Sequence, residues 1–276
     1  MTRLTDDDVK NISNTLEDVN QMLVRTAGMT TKQMACDAVS IVPESIDLDD
    51  YYVGVVPITS GMGVITRFSE SVADICRALD MDAFVTSTYD VTGLAEALSK
   101  DPDIVFLADD YEFIAYNTRA RKYSNNSFCT ASGYVAVLNG AAKGLIGKTV
   151  LVVGAGRVGS RAAGLLLARG AKVGITDIDT AKAHAVAKEN PGVKVIEDVG
   201  EAISLNDLIL NASPAHIDSK YIREGAIISS PGVPHTFDGE AYAKATIIHD
   251  PLDIGVAVMA VQSASFSCPD KRKCRR

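Results

Sequence analysis

The strongest chemical signal in the chain is Gly154-Ala155-Gly156-Arg157-Val158-Gly159, a G-x-G-x-x-G turn. An apolar, mostly β-branched run at 149–153 precedes it, and a helical pattern follows at 160–169. In such a unit Gly154 permits the tight turn, Gly156 lets a pyrophosphate approach the backbone, and Gly159 lets helix and strand pack closely. The free N–H groups and positive dipole end of the helix then face the phosphates. A second strand at 172–177 ends in Asp177, about 20 residues beyond the glycines, where a carboxylate accepts hydrogen bonds from an adenosine ribose. No arginine lies between Asp177 and Asn190 to offset a 2′-phosphate, so NAD is expected in preference to NADP. Arg157 and Val158 of the turn, with Ala212, Ser213 and Pro214 at the end of a later strand, complete the expected cofactor-binding set. The competing reading is a glycine turn in an α/β domain that binds no nucleotide.

The remaining candidates lie outside the glycine turn. Ser60, Thr86 and Asp109 each follow an apolar run in the first half, where ligands of open α/β sheets sit. Asp109-Asp110 points to a cationic substrate such as an amine, and a local helix N-cap is an equally common use for such acids. All four histidines (His184, His216, His235 and His249) fall in the second half. A histidine-dependent alcohol dehydrogenase is therefore disfavoured, with His249 at a strand end as the exception to watch. No C-x-x-C or H-E-x-x-H occurs, and no metal site is expected.

These residues need elements to hold them. The first half alternates strands (52–58, 83–86, 104–108) with helices opening at Ser69 and after Asp90, which predicts a small parallel α/β domain. Thr5 followed by three aspartates marks a helix start, and Val9, Ile12, Leu16, Val19 and Leu23 continue one apolar face at helical spacing. This long amphipathic helix is core packing, a dimer contact, or a lid over the site. A helix at 130–145, rich in small residues, joins the halves. Strands at 193–196, 207–212, 226–230 and 245–249 continue the second. The expected architecture is α/β, a C-terminal Rossmann NAD-binding domain (146–276) plus a smaller N-terminal α/β domain (1–145) with a leading N-terminal helix.

Composition sets the outer bounds. The chain has 276 residues, 47% hydrophobic and 22% charged, which is ordinary for a folded globular protein. Its net charge of −8 argues against nucleic acid or an anionic membrane surface as partner. No apolar run has transmembrane length and the acidic N-terminus is unlike a signal peptide, so a cytoplasmic location is expected. Five scattered cysteines fit a reducing compartment. The basic tail holds Cys268 and Cys274, and a solvated end is its simplest reading.

Several segments resemble the pyrrolysine biosynthesis protein D family. They are 56–63 (VPITSGMG), 68–71 (FSES), 82–86 (DAFVT), 108–110 (ADD), Asn125-Asn126 with Cys129-Thr130, 150–154 (VLVVG), 230–234 (SPGVP) and Pro251-Leu252 with Gly255. The matches keep their order over nearly the whole chain; the basic tail departs from the family. The resemblance implies NAD-dependent oxidation of a dipeptide, 3-methyl-D-ornithyl-N6-L-lysine, at its terminal amine. The resulting imine or semialdehyde condenses with the ornithine α-amine to close a pyrroline ring. By the same resemblance, Leu4 and Phe68 contact aliphatic parts of the substrate. Ser60 and Asn126 bond its polar groups, and Asp109 holds the reacting amine. A homodimer is one reading of the assembly. Two other functions remain open at this level: another NAD-dependent dehydrogenase or cyclising enzyme for a basic amino acid, and a nucleotide sensor without hydride chemistry.

Overall fold

The computed structural model describes residues 4–235 and 237–266; the tail with Cys268 and Cys274 lies outside them. Three helices, α1 (Asp6–Val9), α2 (Ile12–Ala27) and α3 (Thr31–Ala38), precede β1 (Tyr52–Val56). Then come α4 (Phe68–Ala78), β2 (Asp82–Val85), α5 (Asp90–Ser99), β3 (Ile104–Ala108), β4 (Phe113–Asn117) and β5 (Lys122–Asn125). Helix α6 (Asn126–Ala141) leads into β6 (Thr149–Val153), α7 (Arg157–Ala168), β7 (Lys172–Thr176) and α8 (Thr180–Glu189). The chain ends with β8 (Lys194–Val195), α9 (Val199–Ser204), β9 (Leu208–Asn211), β10 (Ile227–Ser229), α10 (Gly239–Lys244), β11 (Thr246–Ile248) and α11 (Asp253–Ala264).

The second sheet has the order β11-β10-β9-β6-β7-β8, and all its strands are parallel. This is the doubly wound Rossmann order, with its switch point between β6 and β9. The first sheet has the order β2-β1-β3-β4-β5. Its β2, β1 and β3 are parallel, as expected, but β4 and β5 form an antiparallel hairpin. The sheet is therefore mixed, not the parallel one that strand-helix alternation predicts. The hairpin hides in sequence because β5 (KYSN) is polar and lies at the edge. Its β4 neighbour alternates, burying Phe113, Ala115 and Asn117.

The leading helix is broken, not continuous. Thr5 caps α1 as expected: Asp8 donates its N–H to the Thr5 hydroxyl while its carboxylate accepts from the Thr5 N–H. The chain then turns at Lys10-Asn11 before α2 begins. Val9 and Ile12 are both buried, so two short segments satisfy the apolar face that one straight helix would have presented. Asp90 also differs from its expected capping role. It occupies the first position of α5, after Tyr89, and its carboxylate accepts from the Thr59 N–H and hydroxyl at 2.7 and 2.5 Å.

Helices α6 and α11 form the contact between the two sheets. Both are buried on nearly every side. Helix α11 packs on α6, α3 and α4. Polar groups stitch it to the first sheet: Asn117 donates to Ser263 O at 2.9 Å, Ser124 to Met259 O at 3.0 Å and Tyr51 to Ala264 O at 2.6 Å. Where α2 ends against α6, a Cβ on Gly140 would stand 2.4 Å from Ala27 O and 2.5 Å from the Met29 methyl. Gly140→Ala should thus lower stability by about 1–3 kcal/mol despite alanine's better helix propensity. Urea unfolding should show the midpoint shift; an unchanged or raised midpoint would contradict this packing.

Candidate active site

The carboxyl ends of both sheets open onto one cleft. From the first sheet it is lined by Ser60 after β1, Phe68 at the start of α4 and Asp109-Asp110 after β3. From α6 come Asn126, Thr130 and Tyr134. From the second sheet come Val158, Ala212, Pro214, the segment 231–233 and Asp250. Leu4, just before α1, also lines it. The expected substrate residues Leu4, Ser60, Phe68, Asp109 and Asn126 are thus brought to one place. Thr86 is not among them. It ends the edge strand β2, lies 6% exposed and donates to Thr88 O at 2.8 Å. The crevice opens between β1 and β3, where the strand order reverses, and β2 lies outside it.

Both aspartates after β3 have structural partners. Asp109 Oδ1 accepts the N–H groups of Tyr111 and Glu112, each at 2.8 Å, and fixes the turn between β3 and β4. Its second oxygen has no hydrogen-bond partner among the described residues. Asp110 Oδ2 accepts the Met62 N–H at 2.7 Å and so holds the loop that carries Ser60. Asp6 does the same further along that loop, accepting the Thr66 N–H at 2.7 Å, which places α1 at the cleft mouth. Phe68 packs edge-on against Phe113, with ring centroids 5.3 Å apart.

The glycine turn has the geometry of a dinucleotide cradle. Gly154 has φ +95° and lies against the Ala212–Ser213 backbone, where a Cβ would sit 3.0 Å from the Ala212 carbonyl. A Cβ on Gly159 would stand 1.8 Å from Gly154 O, a contact that forbids any side chain. Over Gly156 the space is open within 4 Å, as the approach of a pyrophosphate requires. Asp177 ends β7; Oδ2 accepts the Ala155 N–H at 2.6 Å and Oδ1 the Asp179 N–H at 2.8 Å. A carboxylate has about four acceptor positions, so two remain for ribose hydroxyls. Gly154, Asp177 and Ser213 line a second hollow beside the turn, with Ile178, Gly200 and Tyr221. The residues fit a nicotinamide dinucleotide. Arg157 is directed elsewhere. Its guanidinium crosses to the first sheet and donates to Tyr111 O at 2.7 Å and to Glu112 Oε1 at 3.0 Å.

Charge in the cleft is one-sided. Among the described residues its charged lining consists of Asp109, Asp110 and Asp250, with no lysine, arginine or histidine. His249 lies at the end of β11, as the sequence places it, but stacks on His235 at 4.1 Å and shares a hydrogen bond with Ser230 O at 2.8 Å. Burial, with the neighbouring His249 as a lesser cause, lowers His235 to about 4.

Sequence reasoning missed the buried group beneath the cleft. The Tyr134 hydroxyl donates to the Asp250 carbonyl and accepts the Asp250 N–H. Asp250 Oδ1 accepts the N–H groups of Leu252 and Asp253 at 2.9 and 2.5 Å at the start of α11. Asp253 is 2% exposed, and neither carboxyl oxygen has a partner among the described residues. Desolvation first, and the Asp250 charge second, push Asp253 up to about 9. Burial raises Asp250 too, against the opposing effect of its backbone donors. One signal was available in the sequence: Asp250 and Asp253 flank Pro251-Leu252 with the spacing of a helix start.

A two-lobed α/β dehydrogenase fold, with a glycine turn facing an acidic cleft, is what these elements define. Two solved structures share it: a quinate dehydrogenase from Corynebacterium glutamicum in complex with NAD (TM-score 0.56, 17% identity, 81% of this chain and 96% of that one) and a shikimate 5-dehydrogenase from Thermus thermophilus in complex with NADP(H) and shikimate (TM-score 0.53, 16% identity, 80% and 95%). Residues 138–225 match the shikimate/quinate 5-dehydrogenase family, and residues 8–124 match the N-terminal domain of pyrrolysine biosynthesis protein PylD. Proteins named pyrrolysine synthase are 32% identical to the chain: one from Methanosarcina acetivorans covers 94% of this chain and 98% of its own length, and one from Methanosarcina barkeri 94% and 97%. The chain belongs to the pyrrolysine biosynthesis protein D family.

The buried pair has a measurable signature. The unfolded chain loses the Asp253 proton near its ordinary value of about 3.9. The folded protein keeps it to about 9. The group's contribution to stability is therefore fully present below the unfolded value and is lost progressively as pH rises through that window. Asp253→Asn, which mimics the protonated form, should show a flatter decline of Tm between pH 5 and 8 than wild type, the two converging toward equal Tm only as pH falls to about 4. Superimposable Tm profiles would show that folding does not raise the Asp253 pKa.

Proposed function

We propose that the chain oxidises the terminal amine of 3-methyl-D-ornithyl-N6-L-lysine, with NAD as hydride acceptor, in the step that forms pyrrolysine. The observation that carries this reading is the cleft's charge, three aspartates and no basic side chain, which suits a cationic amine. The names of the two Methanosarcina relatives support it.

The amine has a pKa of about 10.4 and arrives as ammonium. Hydride leaves the adjacent carbon readily only when nitrogen has a free lone pair, so the site must bind a cation and then take a proton from it. Asp109 suits the first task; it does the second less well alone, because its charge raises the pKa of the ammonium it holds. Its Oδ1 is held by two N–H groups, and the residue lines the cleft. Ser60 and Asn126 bond the polar groups of the dipeptide, while Leu4 and Phe68 cover its aliphatic stem. Gly154, Gly156, Val158 and Asp177, with Ala212, Ser213 and Pro214, hold the dinucleotide, which when bound supplies the acceptor for hydride. Water adds to the imine and expels ammonia to give the semialdehyde, whose carbonyl condenses with the ornithine α-amine and closes the ring with loss of water.

Mixing protein, NAD and the dipeptide should raise absorbance at about 340 nm as reduced nicotinamide forms. No rise with the dipeptide, under conditions where NAD binds, would refute the substrate assignment. Asp109→Asn keeps an acceptor for the Tyr111 and Glu112 amides but loses the charge. It should reduce kcat/KM by about 10²-fold or more, the scale of a positioned acid–base group, with NAD affinity kept. Asp110→Asn, which retains an acceptor for Met62, should cost much less. The reverse order of effects would transfer the role to Asp110.

The cofactor preference follows from Asp177. A 2′-phosphate would meet its carboxylate with no arginine on α8 to compensate. NAD should give a kcat/KM at least about tenfold above NADP, and equal efficiencies would refute the assignment.

A further inference from the structure

The exposed bridge between Arg157 and the β3–β4 turn links two parts of the site that different sheets supply. Arg157 is the first residue of α7 and stands inside the glycine turn, so the backbone that cradles a pyrophosphate also sets its position. Its two terminal nitrogens reach neighbouring residues on the other side, Tyr111 through its carbonyl and Glu112 through its carboxylate. The N–H groups of the same two residues hold Asp109 Oδ1, and the Asp109 N–H in turn donates to Glu112 O at 2.9 Å. The turn thus has two bonded sides, one facing Asp109 and the other facing Arg157. Glu112 Oε2 extends the path by accepting from Asn125 Nδ2, and Asn125 caps α6 by accepting the Ser127 N–H at 3.1 Å. Asn126, a cleft residue, lies between them.

We propose that Arg157 is a positioning residue: through Tyr111 and Glu112 it sets the Asp109 carboxylate, so that filling the glycine turn with dinucleotide and ordering the amine site are one coupled event. This deepens the function proposed above and rests on it. Half-exposed ion pairs contribute little to stability. The effect of the bridge is on placement: one planar guanidinium fixes two successive residues through two differently directed acceptors, one of them main chain. With a donor of each terminal nitrogen directed there, Arg157 is turned toward the first sheet, and the N–H groups at the start of α7 serve as the phosphate ligands. Binding energies linked in this way must be reciprocal.

The test compares wild type with Arg157→Ala and with Glu112→Ala, which removes the other half of the bridge from an exposed turn. Adding NAD to wild type should slow amide exchange at Tyr111 and Glu112 by about tenfold or more, and both variants should lose most of that protection. In turnover of the dipeptide, kcat should fall about tenfold in each variant, while the calorimetric Kd for NAD stays within about twofold. The double variant should be no worse than the more severe single one, because both remove the Arg157–Glu112 link. A raised Kd for NAD with unchanged kcat in Arg157→Ala would make Arg157 a cofactor ligand and overturn the proposal. So would undiminished protection of the two amides in either variant. If Arg157→Ala does not fold, Glu112→Ala decides the question alone. Failure of the wild type to bind NAD would remove the function and this coupling together. Binding of NAD with protection of the turn, but no turnover of the dipeptide, would leave the coupling standing and refute only the substrate.

Discussion

The Tyr134 hydroxyl is the point on which the relation between the two sheets depends. It is buried in α6 and both donates to and accepts from the backbone of Asp250, at the end of β11. A buried phenol with a single partner would leave polar capacity unsatisfied at a cost of about 1–3 kcal/mol. Here both functions of the hydroxyl are used, and by one residue. The Tyr134 carbonyl accepts from Ser229 in β10 as well, at 2.8 Å. Helix α6 is therefore registered against two strands of the second sheet, while its N-terminal residue Asn126 stands in the cleft. The direction in which α11 departs follows from the same clasp, because Asp250 also caps that helix.

That arrangement has an electrostatic consequence. Two carboxyl groups lie buried at the start of α11, and only one has backbone donors. Burial raises both, and the Asp250 charge adds to the rise at Asp253. The cleft above is lined by Asp250 together with Asp109 and Asp110. Without basic residues in the lining, such a surface attracts an ammonium group and disfavours a free acid.

The loops around the cleft are held by carboxylates that accept backbone N–H groups across long sequence distances. Asp6 holds Thr66, Asp90 holds Thr59, Asp110 holds Met62 and Asp177 holds Ala155. Each is a charge-assisted bond, stronger than its neutral counterpart. Much of the chain's acidity near the site is thus structural, and it organises the strand-end loops from both sheets. This explains why an acidic pair such as Asp109-Asp110 could not be assigned from composition. The same residue type serves as a turn anchor and as a counter-ion, and in Asp109 one oxygen does the first while the other has no hydrogen-bond partner among the described residues.

The sequence by itself determined the elements whose physics is local. The glycine turn, β6, α7 and Asp177 were legible because tight turns, close packing and ribose recognition each impose a residue type at a fixed spacing. The parallel strands β1 to β3 were legible as short apolar runs, and the Thr5 cap as a local hydrogen-bond pattern. Strand-end position marked Ser60 and Asp109, and the family resemblance added Leu4, Phe68 and Asn126, which no periodicity would have singled out. Only the tertiary structure decided the rest. Helix α11 is buried on nearly every side and so has no amphipathic period to detect; its carbonyls are reached by Asn117, Ser124 and Tyr51, and its Ser263 hydroxyl donates to Ala115 O, all from distant parts of the chain. The break between α1 and α2 depends on where Val9 and Ile12 find apolar neighbours. The β4–β5 hairpin is an edge structure whose polar outer strand resembles a loop. The protonation of Asp253 and the reach of Arg157 to Glu112 are properties of groups brought together from separate parts of the chain. Burial and long-range proximity depend on packing, and sequence spacing carries no record of them.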